Sequence, residues 1–126
     1  MSQTKKSCVV SEFQKEVSFE ERTKESQRVL ERYVDRIPCI IEVKKNDKNL
    51  KQIDKKKFLL PNDLTVGQLI WVLRKRMRLS PETGIFLLFN NTMVPASSLV
   101  KQIYAEHKDL DNFVYATLSS ESVFGA

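Results

Sequence analysis

The hydrophobic positions change period along the chain. In "SFEERTKESQRVLERY" apolar residues are sparse (Phe19, Val29, Leu30, Tyr33) and charged ones frequent. That pattern predicts a helix lying on a core built elsewhere. Ser18 with Glu21 three residues on is a capping-box signature, each side chain serving the other's orphan backbone N–H. A shorter helical piece is expected before it, around "EFQKEV". From Arg36 the pattern becomes strand-like: "IPCIIEVKK" and "KKFLL" are both compatible with strands, and the polar "KNDKNLKQ" between them reads as a turn.

The clearest helix follows in "TVGQLIWVLRKRMRL". Thr65 and Gln68 form a second capping box, and Val66, Leu69, Ile70, Leu73 and Met77 recur at helical spacing. At about 100° per residue the core stripe centres on Val66, Ile70, Leu73 and Met77. Leu69, Val72 and Arg76 then line one flank, and Trp71, Arg74 and Arg78 the other. Two readings of the first flank stay open: the wall of a groove, or the solvated basic edge of a core helix. Trp71 is either half-buried or part of an exposed patch. Next come the strand "GIFLLF", an Asn90-Asn91 turn, "TMV", and "SSLVKQIYAEH" as a short helix with Leu99, Val100, Ile103 and Tyr104 buried. "DNFVYATL" supplies the last strand.

From residue 37 the order is strand, strand, helix, strand, short helix, strand. One amphipathic helix crossing a four-stranded mixed sheet fits it, the α+β pattern of the ubiquitin-like β-grasp. Residues 1–36 form a tail and helical extension, and residues 37–126 the core domain. A chain of 126 residues buries enough apolar surface to fold as one such unit without disulfide or metal. Cys39, inside an apolar run, reads as a buried reduced thiol, and Cys8 lies in a polar stretch. "MSQTKKSCVV" lacks the apolar core of a signal peptide, so the expected compartment is the cytosol.

Charge is unevenly placed. Residues 37–78 carry 11 basic and 4 acidic groups, a net +7, against a net +5 for the whole chain. Such a patch attracts nucleic acid, anionic lipid or acidic protein segments. "RKRMR" lacks an interleaved aromatic platform, so nucleic acid is not an expected partner. Catalysis has little to stand on. His107 is the only histidine, no nucleophile elbow, P-loop or zinc-protease motif is present, and Glu20-Glu21 and Asp109/Asp111 sit in polar stretches with nothing evident to raise a carboxyl pKa. No enzyme activity, metal or cofactor is expected. In "DKKKFLLP" the lysines either discourage edge-to-edge aggregation or flank an edge that accepts an added peptide strand.

The blocks "RIPCIIE", "DKKKFLLPNDLTVGQ", "RKRM", "FLLFNN" and "VYATLSSESVFG", in this order and spacing, resemble the autophagy ubiquitin-like modifiers, the family of GABARAP and microtubule-associated protein light chain 3. The similarity runs from about Ser18 to Gly125. It implies that a processing cysteine protease cuts after Gly125, with Phe124 as the aromatic before the cut and Ala126 discarded. Glycine suits the cut because an extended backbone without Cβ threads a narrow slot unhindered. The freed carboxylate would then pass through activating and conjugating enzymes of the ubiquitin-like type to the amine of phosphatidylethanolamine. Two acyl chains, at roughly 0.8 kcal/mol per buried CH₂, give stable anchoring. The implied setting is cytosol before lipidation, and autophagosome membrane and cytoplasmic vesicles after it, in autophagosome formation.

The resemblance also implies a groove that recruits cargo receptors and adaptors bearing aromatic-x-x-aliphatic motifs. The motif would add to Lys57-Phe58-Leu59. Its aromatic residue would meet Glu25, Val29, Pro38, Ile40, Leu59 and Phe113. Its aliphatic residue would meet Phe58, Leu60, Pro61, Leu64, Leu69 and Val72, with Arg76 ending that flank. Arg36, Lys55, Lys56 and Lys57 would face acidic residues beside the motif. Burial of each anchor contributes roughly 1.5–3 kcal/mol before ordering costs, which implies micromolar binding at about −8 kcal/mol. The alternative is a non-conjugated ubiquitin-like trafficking or microtubule-associated module that uses the groove and basic surface alone. The chain departs from the family at Tyr33-Val34, where Tyr-Pro is usual, at Phe89, at the bulky Trp71, and across the first seventeen residues.

Overall fold

Five strands form one mixed sheet: β1 (Arg36–Val43), β2 (Lys57–Pro61), β3 (Ile85–Phe89), β4 (Thr92–Met93) and β5 (Val114–Ser120). The computed structural model describes residues 11–51 and 53–121. Spatial order is β2-β1-β5-β3-β4, with β1 parallel to β5 and the other neighbours antiparallel. The four longer strands are the predicted sheet, and β4 adds a two-residue fifth strand at its edge. Asn90 and Asn91, at φ 51° and 63°, supply the left-handed pair that a tight hairpin needs.

Alternation along each strand gives the sheet two buried faces. Cys39, Ile41, Phe58, Leu60, Phe89 and Leu118 join Val66, Leu69 and Leu73 of α3 (Val66–Met77) and Val100 and Ile103 of α4 (Val100–His107) in the main core. On the other face Ile40, Phe113 and Phe13 form a smaller cluster. Here lie α1 (Glu12–Glu16) and α2 (Phe19–Arg32). Glu42 of β1 fixes α1 by accepting the N–H groups of Glu12 and Phe13 at 3.1 and 3.0 Å.

Both halves of the Thr65/Gln68 capping box form on α3, whereas α2 realises only the Ser18 half. Leu69 is 1% exposed, in one cluster with Phe58 and Leu60, while Ile70 and Met77 are half-buried. The core stripe of α3 is therefore turned toward β2, and Leu69 belongs to it rather than to the flank.

A larger correction concerns α2. Phe19 and Tyr33 are exposed, and the residues α2 buries are Arg22 and Ser26. Its docking face is polar because it is built around Asp111. The last strand likewise starts at Val114, not Asp111, since residues 109–113 form a turn with Asn112 at φ 70°. The loop read as a polar turn also sends Leu50 into the core and buries Asp47.

Candidate functional site

Strand β2 has a neighbour on one side only. Ile41 N–H donates to Lys56 C=O at 2.9 Å, which sets the alternation of the antiparallel ladder. Phe58 and Leu60 therefore turn their backbone groups toward β1, and Lys57 and Leu59 present theirs at the free edge. Pro38, which has no N–H, sits opposite Leu59 in the non-bonded pair where that lack costs the ladder nothing. Arg36 Nη1 donates to Leu59 C=O at 3.3 Å, so one edge acceptor is held by the chain itself.

The implied pocket residues divide between the two faces of this edge. On the α2 face, Pro38, Ile40 and Phe113 are buried, Glu25 and Val29 are half-buried, and Leu59 is 40% exposed. Lys57 Nζ reaches Glu25 Oε2 at 2.7 Å and lies 5.6 Å from the centre of the Phe13 ring. Phe13 meets Phe113 edge-on at 5.4 Å, so α1 covers part of the floor on this side. On the α3 face, Phe58, Leu60 and Leu69 are buried, Pro61 and Leu64 half-buried, and Val72 is 43% exposed. Lys55 and Arg76 both stand over the Phe58 ring, at 5.1 and 5.8 Å, and Arg76 also pairs with Asp54 at 3.0 Å. Lys56 is 3.5 Å from Glu42. Lys55 has no carboxylate partner among the described residues.

Residues three apart on an extended strand point to opposite sides. An aromatic-x-x-aliphatic strand added to β2 would thus send one anchor to each face, where the two residue sets lie. A cavity of about 590 Å³ lies elsewhere, around Glu42, Lys44, Lys45 and Leu88. Phe124, Gly125 and Ala126 lie outside the described residues.

The residues that hold α2 against the sheet were not read from the sequence. Asp111 is fully buried, and its carboxylate accepts from Arg22 Nε at 2.6 Å, Tyr115 O–H at 2.5 Å and Phe113 N–H at 2.9 Å. Its carbonyl accepts from Ser26 Oγ at 2.5 Å, and Arg22 Nη1 bonds the Gln14 and Val17 carbonyls. Burial and the Asp111 bond push the Tyr115 phenol up. Burial, reinforced by Asp111, likewise raises Asp109 above the usual carboxylate range, against the expectation that nothing there would. Burial raises the Cys39 thiol strongly, so it stays protonated. His107 is half-buried with Nε2 3.8 Å from Glu106 Oε1. The signal for α1 was available: Ser11 and Gln14 form a complete capping box just around Phe13.

The family model for the ubiquitin-like autophagy protein Atg8 matches residues 21–125. The chain belongs to the Atg8 family. It is an autophagy ubiquitin-like modifier. Over 115 residues it is 48% identical to autophagy-related protein 8 of Candida glabrata, a match covering 91% of this chain and 97% of that one. The corresponding protein of Schizosaccharomyces pombe is 50% identical over 115 residues, covering 91% and 94%. The crystal structure of Trypanosoma brucei ATG8 superposes with a TM-score of 0.84 at 40% identity, covering 90% and 97%.

Proposed function

We propose that this Atg8 protein is trimmed after Gly125, joined through that carboxylate to phosphatidylethanolamine, and used on autophagosomal membrane to recruit receptors along β2. The observation that carries the trimming is the family match, which runs to Gly125 and leaves Ala126 beyond it. Family membership also supports handling by ubiquitin-like conjugation enzymes and association with autophagosomes. For the groove, support comes from the free edge of β2, with an exposed aliphatic on each side of it, Leu59 and Val72. Arg36, Lys55 and Lys57 add positive charge for acidic flanks. No helix among the described residues is long and apolar enough to cross a membrane.

The test is the mass of the chain recovered from cells. Loss of Ala126 with a phospholipid adduct at Gly125 is the expected result, together with loss of membrane puncta in Gly125→Ala. Puncta that persist in Gly125→Ala, with an intact terminus, would instead favour the non-conjugated module.

A further inference from the structure

Trp71 is the only tryptophan of the chain, and it is 60% exposed on α3. At about 100° per residue, Lys75 shares its outward face, turned away from the Val72 side that borders β2, and Arg78 follows as the exposed C-cap of the helix. Lys75 Nζ lies 4.7 Å from the centre of the indole. The basic neighbours are engaged elsewhere: Arg74 donates to Thr83 C=O at 2.5 Å and Ser80 C=O at 2.9 Å, and Arg76 pairs with Asp54. Lys75 and Arg78 are exposed, and neither takes part in an ion pair among the described residues.

The C-terminal end of α3 is linked to the root of the tail. Glu121 N–H donates to Gly84 C=O at 2.8 Å, and the Arg74 bonds tie residues 80–83 to the last turn of α3. From Ser122 to Gly125 the chain can span at most about 14 Å. A lipid joined at Gly125 would therefore hold the bilayer within reach of the end of α3.

We propose that this face is a second membrane contact. With Gly125 lipid-linked, the Trp71 ring seats among the headgroups of an anionic leaflet, and Lys75 and Arg78 meet their negative charge. The inference rests on the lipid-linked reading of the tail. Trp favours the membrane–water boundary, where its apolar ring is shielded and its N–H stays wet. Two cations and one ring are too few to bind a membrane from solution, but a tether supplies the local concentration that a weak contact needs. The exposed Glu82 and Glu121 near the tail root oppose the attraction, so the contact centres on the Trp71 side. A convex helix surface offers a peptide no pocket, whereas a bilayer surface deforms around it.

A single tryptophan makes the test direct. The chain ending at Gly125 and extended by six histidines is held on vesicles of phosphatidylcholine and phosphatidylserine that contain nickel-chelating lipid and brominated acyl chains. The expected result is a blue-shifted, quenched emission on these vesicles, and a solvent-like spectrum when phosphatidylserine is left out or the chelating lipid is absent. Lys75→Gln and Arg78→Gln each lower the docked-to-free ratio about fivefold. An unshifted spectrum on tethered anionic vesicles overturns the proposal. So does quenching that survives in the double variant, or a response to a soluble acidic peptide with none to vesicles. The chelator replaces conjugation, so a chain that docks here but is never lipid-linked in cells would sink the proposed function and leave this contact standing.

Discussion

At the residue scale, two aspartates that read as loop letters carry structural weight. Asp111 gathers Arg22, Tyr115, Ser26 and the Phe113 N–H from three parts of the chain. Removing one partner of a buried ion pair leaves the other charge uncompensated, which costs about 3–5 kcal/mol. Asp111→Ala is therefore expected to lose stability on that order in urea denaturation, with Arg22→Ala close behind. A loss under 1 kcal/mol would mean that α2 is held by something other than this cluster. Asp47 acts through pH. Burial pushes its carboxyl up, but the bonds from Ser120 N–H and Oγ and Asn49 N–H outweigh that and hold it below the ordinary value. An acid with a lowered folded pKa adds stability above its unfolded value, near 3.8, and loses it as pH falls through the folded pKa. Asp47→Asn should flatten the acid limb of stability against pH below about 4, and an unchanged limb would count against the assignment. Asp109, raised instead, contributes with the opposite sign. Neither aspartate was legible as structural because polarity alone cannot tell a solvated carboxylate from one whose partners lie 73 or 89 residues away.

At the element scale, the sequence spoke where the signal is local. The Thr65/Gln68 capping box, the Ser18 half of the other, the Asn-Asn hairpin and the apolar stripe of α3 were readable because their partners lie within a few residues. The start of β5, the polar docking face of α2 and the burial of Leu50 were not, since each is decided by a distant partner. The free edge of β2 needed the sheet order, which no pattern within one strand reveals. This edge allows a separation of stability from binding. The Leu59 N–H points away from β1, so Leu59→Pro removes an edge donor without breaking a ladder bond. A motif peptide should bind about tenfold more weakly by calorimetry, while the melting temperature changes little. Equal affinity would exclude strand addition at this edge.

At the scale of the whole molecule, the sheet is covered on both faces, but unequally. The α3 side holds the large contiguous core, whereas the α1 side rests on Phe13, Ile40 and Phe113 with Val17 and Tyr115 beside them. A five-residue helix cannot stand alone, so α1 keeps its shape only while Phe13 is seated and Glu42 holds its first N–H groups. This predicts a layered response to Phe13→Ala. The global loss should be smaller than the roughly 3–5 kcal/mol of a Phe→Ala change deep in a core, because α1 can lift away without the sheet. Hydrogen exchange would show it as lost protection at the amides of Phe13 and Lys15, with those of Ile41 and Leu118 little changed. Equal loss at all four would mean that the small cluster unfolds only with the main core. The asymmetry has a physical origin. Apolar area sets cooperativity, and only the α3 face has enough of it to bind its helices into one unit with the sheet.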